Sequence, residues 1–217
     1  EEDAYQALNL PYIAPELREG IFEFELAAQN KLPNLIQTDD IKGIIHCHST
    51  YSDGAHSLEE MATHCKESGF EYLGITDHSK TAVYASGLKE DDIKRQHEEI
   101  DRLNEKLAPF KIFKEIESDI LGDGSLDYTD GVLNSFDFII GSVHANIKMG
   151  KEQATERIVR AINNPYTTMI GHLTARVLLQ RPGYPVDYDK VIAACVNNEV
   201  IIELNAHPSR LDLDWRW

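Results

Sequence analysis

From Ile41 onward, short apolar runs alternate with longer stretches in which apolar residues recur every three or four positions. IKGIIHCH (41–48) reads as a strand buried on both faces, rich in β-branched residues. Ser57 then starts a helix, with Glu60 completing a capping box, Leu58, Met61, Ala62 and Cys65 on one stripe, and Gly69 as the stop. FEYLGITDH (70–78) predicts a second strand, and Asp92 to Ala108 a long helix with Ile93, Ile100, Leu103 and Leu107 aligned. FKIFKEIESDI and FDFIIGSVH predict the third and fourth strands. A helix from Lys151 to Asn163 leads to TTMIGH, the fifth strand, and a helix capped by Asp187 leads to VIIELNAH, the sixth. Strand and helix alternating in this way imply a parallel α/β sheet, as an open doubly wound sheet or as a barrel.

Residues 1–40 break the pattern. PYIAPELREG carries two prolines and a glycine, FEFELAAQNKL is a short helical stretch, and LPNLIQTDD leads out through another proline. This segment reads as a linker arm or an N-terminal cap, with residues 41–217 as the domain proper. The 217 residues are 42% hydrophobic, enough for a sizeable core. A formal net charge of −16 argues against broad capture of nucleic acid or anionic membrane by charge alone. No stretch approaches the length of a membrane span, and no secretory signal is visible. Cys47, Cys65 and Cys195 make neither a disulfide framework nor a CxxC pair, which points to the cytoplasm.

The nine histidines change the picture. His46 and His48 end the first strand, His78 the second, His144 the fourth, His172 the fifth and His207 the sixth, while Glu117 lies near the end of the third. Carboxyl ends of parallel strands build active sites, and residues two apart on a strand share a face, so His46 and His48 point the same way. A contribution from every strand favours closure around a central site. Imidazole with carboxylate suits zinc, manganese or iron. Asp53, in STYSDGAH, can fold back over the mouth, and Asp77 is placed to orient an imidazole. Glu115 and Glu117 share a face, and spacing alone does not choose between them. His56, His64 and His97 fall before or within helices and read as surface or packing residues; Cys47 reads as core.

IHCHSTYSDG, ITDH, IESDI, GSVH and IGH, in that order from about Lys42 to His207, resemble the successive motifs of the PHP (polymerase and histidinol phosphatase) metal-dependent phosphoesterases. LEEMATHCKESGFEYLGITDHSK, DILGDGSLDY, GHLTARVLLQRPGYPVDYDKV and the N-terminal EEDAYQALNLPYIAPELRE are more specifically similar to the C-terminal PHP domain of bacterial family X DNA polymerases. The resemblance implies a distorted (β/α)7 TIM-like barrel holding up to three divalent ions, manganese, zinc or iron. It places His46 and His48 on one ion, Glu117 as a bridge to a second held by His144 and His172, and Asp53 with His78 on a third. It further implies 3′–5′ exonuclease activity on DNA 3′ ends, with polymerase domains in the full-length chain. Two departures stand out. Glu115 occupies a position that is often small in the family, and the family's closing Asp-x-His does not occur before the chain stops at RLDLDWRW. The expectation is a truncated barrel lacking its last strand, with an abrupt apolar end at Trp215 and Trp217 and a weak or empty third metal site unless Glu203, Asn205 or His207 substitutes.

Metal-activated water needs no serine or cysteine nucleophile. Glu117, Asp77 and Arg176 form the expected catalytic set, and Lys80, Arg176 and Arg181, on loops after His78 and His172, are candidates to hold phosphate. Two rival functions remain: a stand-alone phosphatase for a small phosphate ester, of the histidinol phosphatase kind, which suits the acidic surface, and a structural PHP module without activity.

Overall fold

The computed structural model describes every residue except Trp215, so that part of the expected chain end lies outside the described residues. The chain separates into two compact units, Glu1–Ile41 and Lys42–Trp217. In the first, helices α1 (Glu2–Ala7) and α2 (Glu23–Ala28) are joined by an irregular segment. The Glu23 carboxylate, 3% exposed, accepts the backbone N–H groups of Gly20, Ile21 and Phe22 and so holds the turn that opens α2. Arg18 donates to the Ile13 carbonyl and to Glu1, and its guanidinium lies over the rings of Tyr5 and Tyr12.

The second unit is a single sheet of six parallel strands in sequence order, curled into a half-barrel with helices between the strands. The strands are β1 (Gly43–Cys47), β2 (Tyr72–Ile75), β3 (Lys111–Asp119), β4 (Phe138–Ser142), β5 (Met169–Ile170) and β6 (Ile201–Ile202). The helices are α3 (Leu58–Glu67), α4 (Glu90–Leu107), α5 (Asp130–Leu133), α6 (Lys151–Ile162) and α7 (Tyr188–Asn198). The capping box on α3 forms as its sequence predicts, with Ser57 Oγ accepting from Glu60 N and Glu60 accepting from Ser57 N. Helix α4 starts two residues earlier than its apolar stripe suggests, because the Asp92 carboxylate reaches back to accept the Lys89 N–H. None of the described helices is long and apolar enough to cross a membrane.

Two apolar clusters support the sheet. Leu58, Ala62, Leu73, Ile75, Ile100, Leu103 and Ile112 pack α3 and α4 against its first half. Ile116, Ile139, Ile158, Ile170, Val191 and Cys195 pack α6 and α7 against its second half. The middle of the sheet is thus fully desolvated, whereas its two edges are not. β1 is not buried on both faces as its composition suggests: Ile44 is 36% and Ile45 40% exposed, and Ile201 on β6 is 53% exposed. Each of these strands has one paired neighbour, and no seventh strand is present among the described residues. Instead, the edges approach through side chains: His46 Nδ1, on β1, hydrogen-bonds Glu203, just past β6.

Candidate metal centre

Curling brings the carboxyl ends of the strands around one cleft of about 460 Å³, lined by His46, His48, Asp53, His78, Glu117, His144 and His172, with Tyr84, Glu203, His207 and Arg210 among the rim residues. At its centre is the Glu117 carboxylate, 1% exposed. Its Oε1 lies 3.1 Å from His46 Nε2, 3.1 Å from His144 Nε2 and 2.9 Å from His172 Nε2. Its Oε2 lies 3.1 Å from His78 Nδ1 and 3.7 Å from His48 Nε2. Asp53, at the rim, is 3.7 Å from both His48 Nδ1 and His78 Nε2.

Local backbone features aim these donors. His46 has φ 55° and His172 φ 21°, left-handed values that non-glycine residues seldom adopt. At His46 the turn coincides with a register shift between Ile44 and Cys47, which swings the ring inward. Gly171 leaves room for it, since a Cβ there would stand 3.0 Å from His46 Cε1 and 2.5 Å from Ser142 Oγ. His78 lies beyond regular β2 and is held by an isolated bridge to Glu117.

The donor set fits divalent ions. Three groups have ligand atoms within 4.8 Å of one another: His46, Glu117 and His172; His48, Asp53 and His78; and His78, Glu117 and His144. Glu117 Oε1 and the Nδ1 atoms of His48, His78 and His172 are buried yet make no aligned hydrogen bond. Buried polar atoms are rarely left so, and close but misaligned donors are what ligands around a shared ion look like. The groups overlap, sharing Glu117 and His78, and together they contain every residue of the ligand set that the family resemblance implies.

Charge is unevenly distributed among the donors. Burial opposes the Glu117 charge, yet the imidazoles of His144, His172 and His46 hold its pKa well below the usual carboxylate range. Burial also disfavours imidazolium at His46, but Glu117 and Glu203 outweigh it and lift its pKa to about 10. His144 rises against burial to about 9 through Asp119 and Glu117. Burial, aided by neighbouring histidines, lowers His78 to about 4 and depresses His48. Metal binding must therefore displace protons from His46 and His144.

Two further carboxylates support the site: Glu203, which the sequence offers only as a substitute ligand, and Asp119, which it does not single out. Glu203 accepts from His46 Nδ1 and from the His172 backbone N–H (2.6 Å), and Asp119 pairs with His144 Nδ1. Both fix which ring nitrogen faces Glu117. Other expectations are corrected by the packing. Asp77 orients no imidazole and does not line the cleft: it is fully buried and accepts from Ser49 N, Ser49 Oγ, Ser52 Oγ and Gln96 Nε2. Glu115 does not line the cleft, because it sits deeper, accepting from Thr76 Oγ1 over Gly74 in space that a Cβ at Gly74 would fill. Arg176 is turned away by the carbonyls of Arg210 and Leu211 and by Asp214. Arg181 donates to the Ala175 carbonyl, and the Lys80 ammonium lies over the Tyr128 ring. The lysine or arginine that does line the cleft is Arg210. His207 does so from an exposed loop well past β6 rather than from a strand end.

The PHP domain family matches residues 45–207, the span that carries this cleft. The chain belongs to the PHP domain family. It is 41% identical over 213 residues to the DNA polymerase/3′-5′ exonuclease PolX of Bacillus subtilis, covering 98% of this chain and 37% of that protein. It is 31% identical over 166 residues to a probable phosphatase of Acetivibrio thermocellus, covering 75% of this chain and 64% of the relative. Among solved structures it is similar to the PHP-fold histidinol phosphate phosphatase of Lactococcus lactis, complexed with zinc, L-histidinol and phosphate, at a TM-score of 0.53 and 17% identity over 76% of this chain and 73% of that one. This chain thus spans little more than a third of the polymerase it matches and just under two thirds of the phosphatase. PHP membership and these relatives support a metal-dependent phosphoesterase.

Proposed function

We propose that this PHP domain hydrolyses phosphodiesters at DNA 3′ ends as a 3′–5′ exonuclease, within a longer polypeptide that carries polymerase domains. The observation that carries the reading is Glu117, a buried β3 carboxylate ringed by histidine nitrogens from the ends of four other strands, in a chain 41% identical to a polymerase and exonuclease. Manganese, zinc or iron bound by His46, His48, Asp53, His78, Glu117, His144 and His172 supplies Lewis acidity and an activated water. The protein contributes the frame. Glu117 places negative charge between the triads, while Glu203 and Asp119 keep Nδ1 of His46 and His144 occupied, so that Nε2 stays directed inward. Half-exposed Asp53 closes the rim. Arg210 offers a guanidinium to the phosphate.

The test is a time course on 3′- and 5′-labelled single-stranded DNA with manganese, with and without chelator. Stepwise loss from the 3′ end, abolished by chelator, is the expected result. The net charge of −16 and the probable phosphatase relatives favour a second reading, a phosphatase for a small phosphate ester. Turnover of such an ester with none on DNA would select it.

A further inference from the structure

Tyr84 is the large aromatic side chain at the mouth of the cleft, and nothing in the metal-binding frame needs it. The residue is 72% exposed, an unusual state for a tyrosine beside a buried charge cluster. The ring centroid stands 6.0 Å from that of His78 and 6.4 Å from that of His144. Its hydroxyl makes no hydrogen bond to the described residues.

The backbone beneath it is fixed. Ala82 and Ala85, on either side, are 0% and 2% exposed. Ala82 N donates to Ser79 O, Ala85 N to Ala82 O, Gly87 N to Ala82 O, and Leu88 N to His78 O. Ser86 takes φ 56° to complete the turn. The short loop that begins at His78 thus presents an exposed ring beside the candidate ligands His78 and His144. A tyrosine on a rigid turn loses little conformational freedom when a flat partner lands on it. Also lining the cleft is Arg210, whose Nη1 makes only a long, 3.5 Å contact with the Arg176 carbonyl. Arg176 clamps the carbonyls of Arg210 and Leu211 and so fixes the loop from which Arg210 reaches.

We propose that Tyr84 and Arg210 form a nucleotide subsite at the candidate metal centre, Tyr84 stacking on the base of the terminal nucleotide and Arg210 pairing with its phosphate. The inference rests on the phosphoesterase reading and assigns the organic part of the substrate. A base offers the flat face that an exposed ring accepts without regard to sequence, and a guanidinium matches phosphate oxygens two at a time.

Equilibrium binding of dAMP and of 2-deoxyribose 5-phosphate to the manganese-loaded chain separates the two contacts, since the second ligand carries a hydroxyl in place of the base. The wild type should prefer dAMP by roughly 5- to 150-fold, the range of one base–aromatic stack. Y84A should abolish that preference, with Y84F and Y84W retaining it. R210A should weaken both ligands alike by about tenfold or more and leave their ratio unchanged, with R210K intermediate. No preference in the wild type, or a preference that survives Y84A, would overturn the stacking assignment while leaving phosphoester hydrolysis intact. Unchanged phosphate affinity in R210A would overturn the arginine contact. If the wild type binds neither ligand and hydrolyses no phosphoester, the underlying functional reading falls, and the subsite with it.

Discussion

Asp77 and Glu117 are both buried carboxylates near the carboxyl ends of neighbouring strands, each beside a histidine or within two residues of an acid, yet their surroundings are opposite in kind. Asp77 meets fixed, neutral donors: one backbone N–H at 2.8 Å, two serine hydroxyls at 2.7 and 2.5 Å, and one amide at 2.6 Å. Glu117 meets ring nitrogens that can exchange a proton for an ion, and its Oε1 has no aligned partner. The first arrangement is complete without a ligand and ties the loop after β1 to α4. The second is incomplete until a cation enters. Burial and charge alone do not distinguish a structural carboxylate from a ligating one; the protonation chemistry of the donors does.

Replacing each acid should separate these roles. E117A should weaken manganese or zinc binding by more than about 100-fold in isothermal titration, with the circular dichroism spectrum unchanged. D77A should cost about 3 kcal/mol or more in urea unfolding, as buried charged networks do when one partner is removed, while shifting metal affinity less than about tenfold. Equal losses of metal affinity in the two variants would erase the contrast.

The supporting carboxylates should fall between these extremes. E203Q and D119N should each weaken metal binding by about 10- to 100-fold. They should also reduce the protons released on binding near pH 7, since Glu203 and Asp119 help keep His46 and His144 protonated up to about 10 and 9. In the metal-free wild type this protonation stabilises the fold fully below the ordinary histidine value and is lost as pH rises through 9 to 10. Proton release measured in weak buffer checks both points.

The smallest effect is expected at Glu115, which burial raises to about 7. A carboxyl that holds its proton longer in the folded state loses stability as pH climbs from its unfolded value to about 7. E115Q should flatten the slope of stability against pH in that window. A slope that survives the substitution would assign it to another group.

The strand-end positions of the donors were legible because alternation of apolar runs and helical stripes locates carboxyl ends, and histidines recur there. The twist at His46 was not, because it is a backbone event with no residue-type signature. Glu203 acts on His46 across 157 positions, and no local pattern announces such a contact. Lys80, Arg176 and Arg181 were misplaced because proximity in sequence to a motif does not aim a long side chain; loop carbonyls and a tyrosine ring took them instead. Arg210 lies in a loop without periodicity and carried no signal. The exposure of Ile44 and Ile45 follows from an edge position that β-branched composition cannot reveal.

The link between His46 and Glu203 joins the first and last strands of a sheet that, among the described residues, no backbone ladder closes. An ion engaging His46, Glu117 and His172 would act there as a reversible cross-link, closing a loop that spans most of the second unit. Cross-links over long loops gain from the entropy they remove from the unfolded chain. Amide hydrogen exchange should therefore slow together in Gly43–Cys47 and Ile201–Ile202 when metal is added, while the middle of α4, already packed at Ile100 and Leu103, stays unchanged. Loading the site would then stiffen the two rims as one mechanical element.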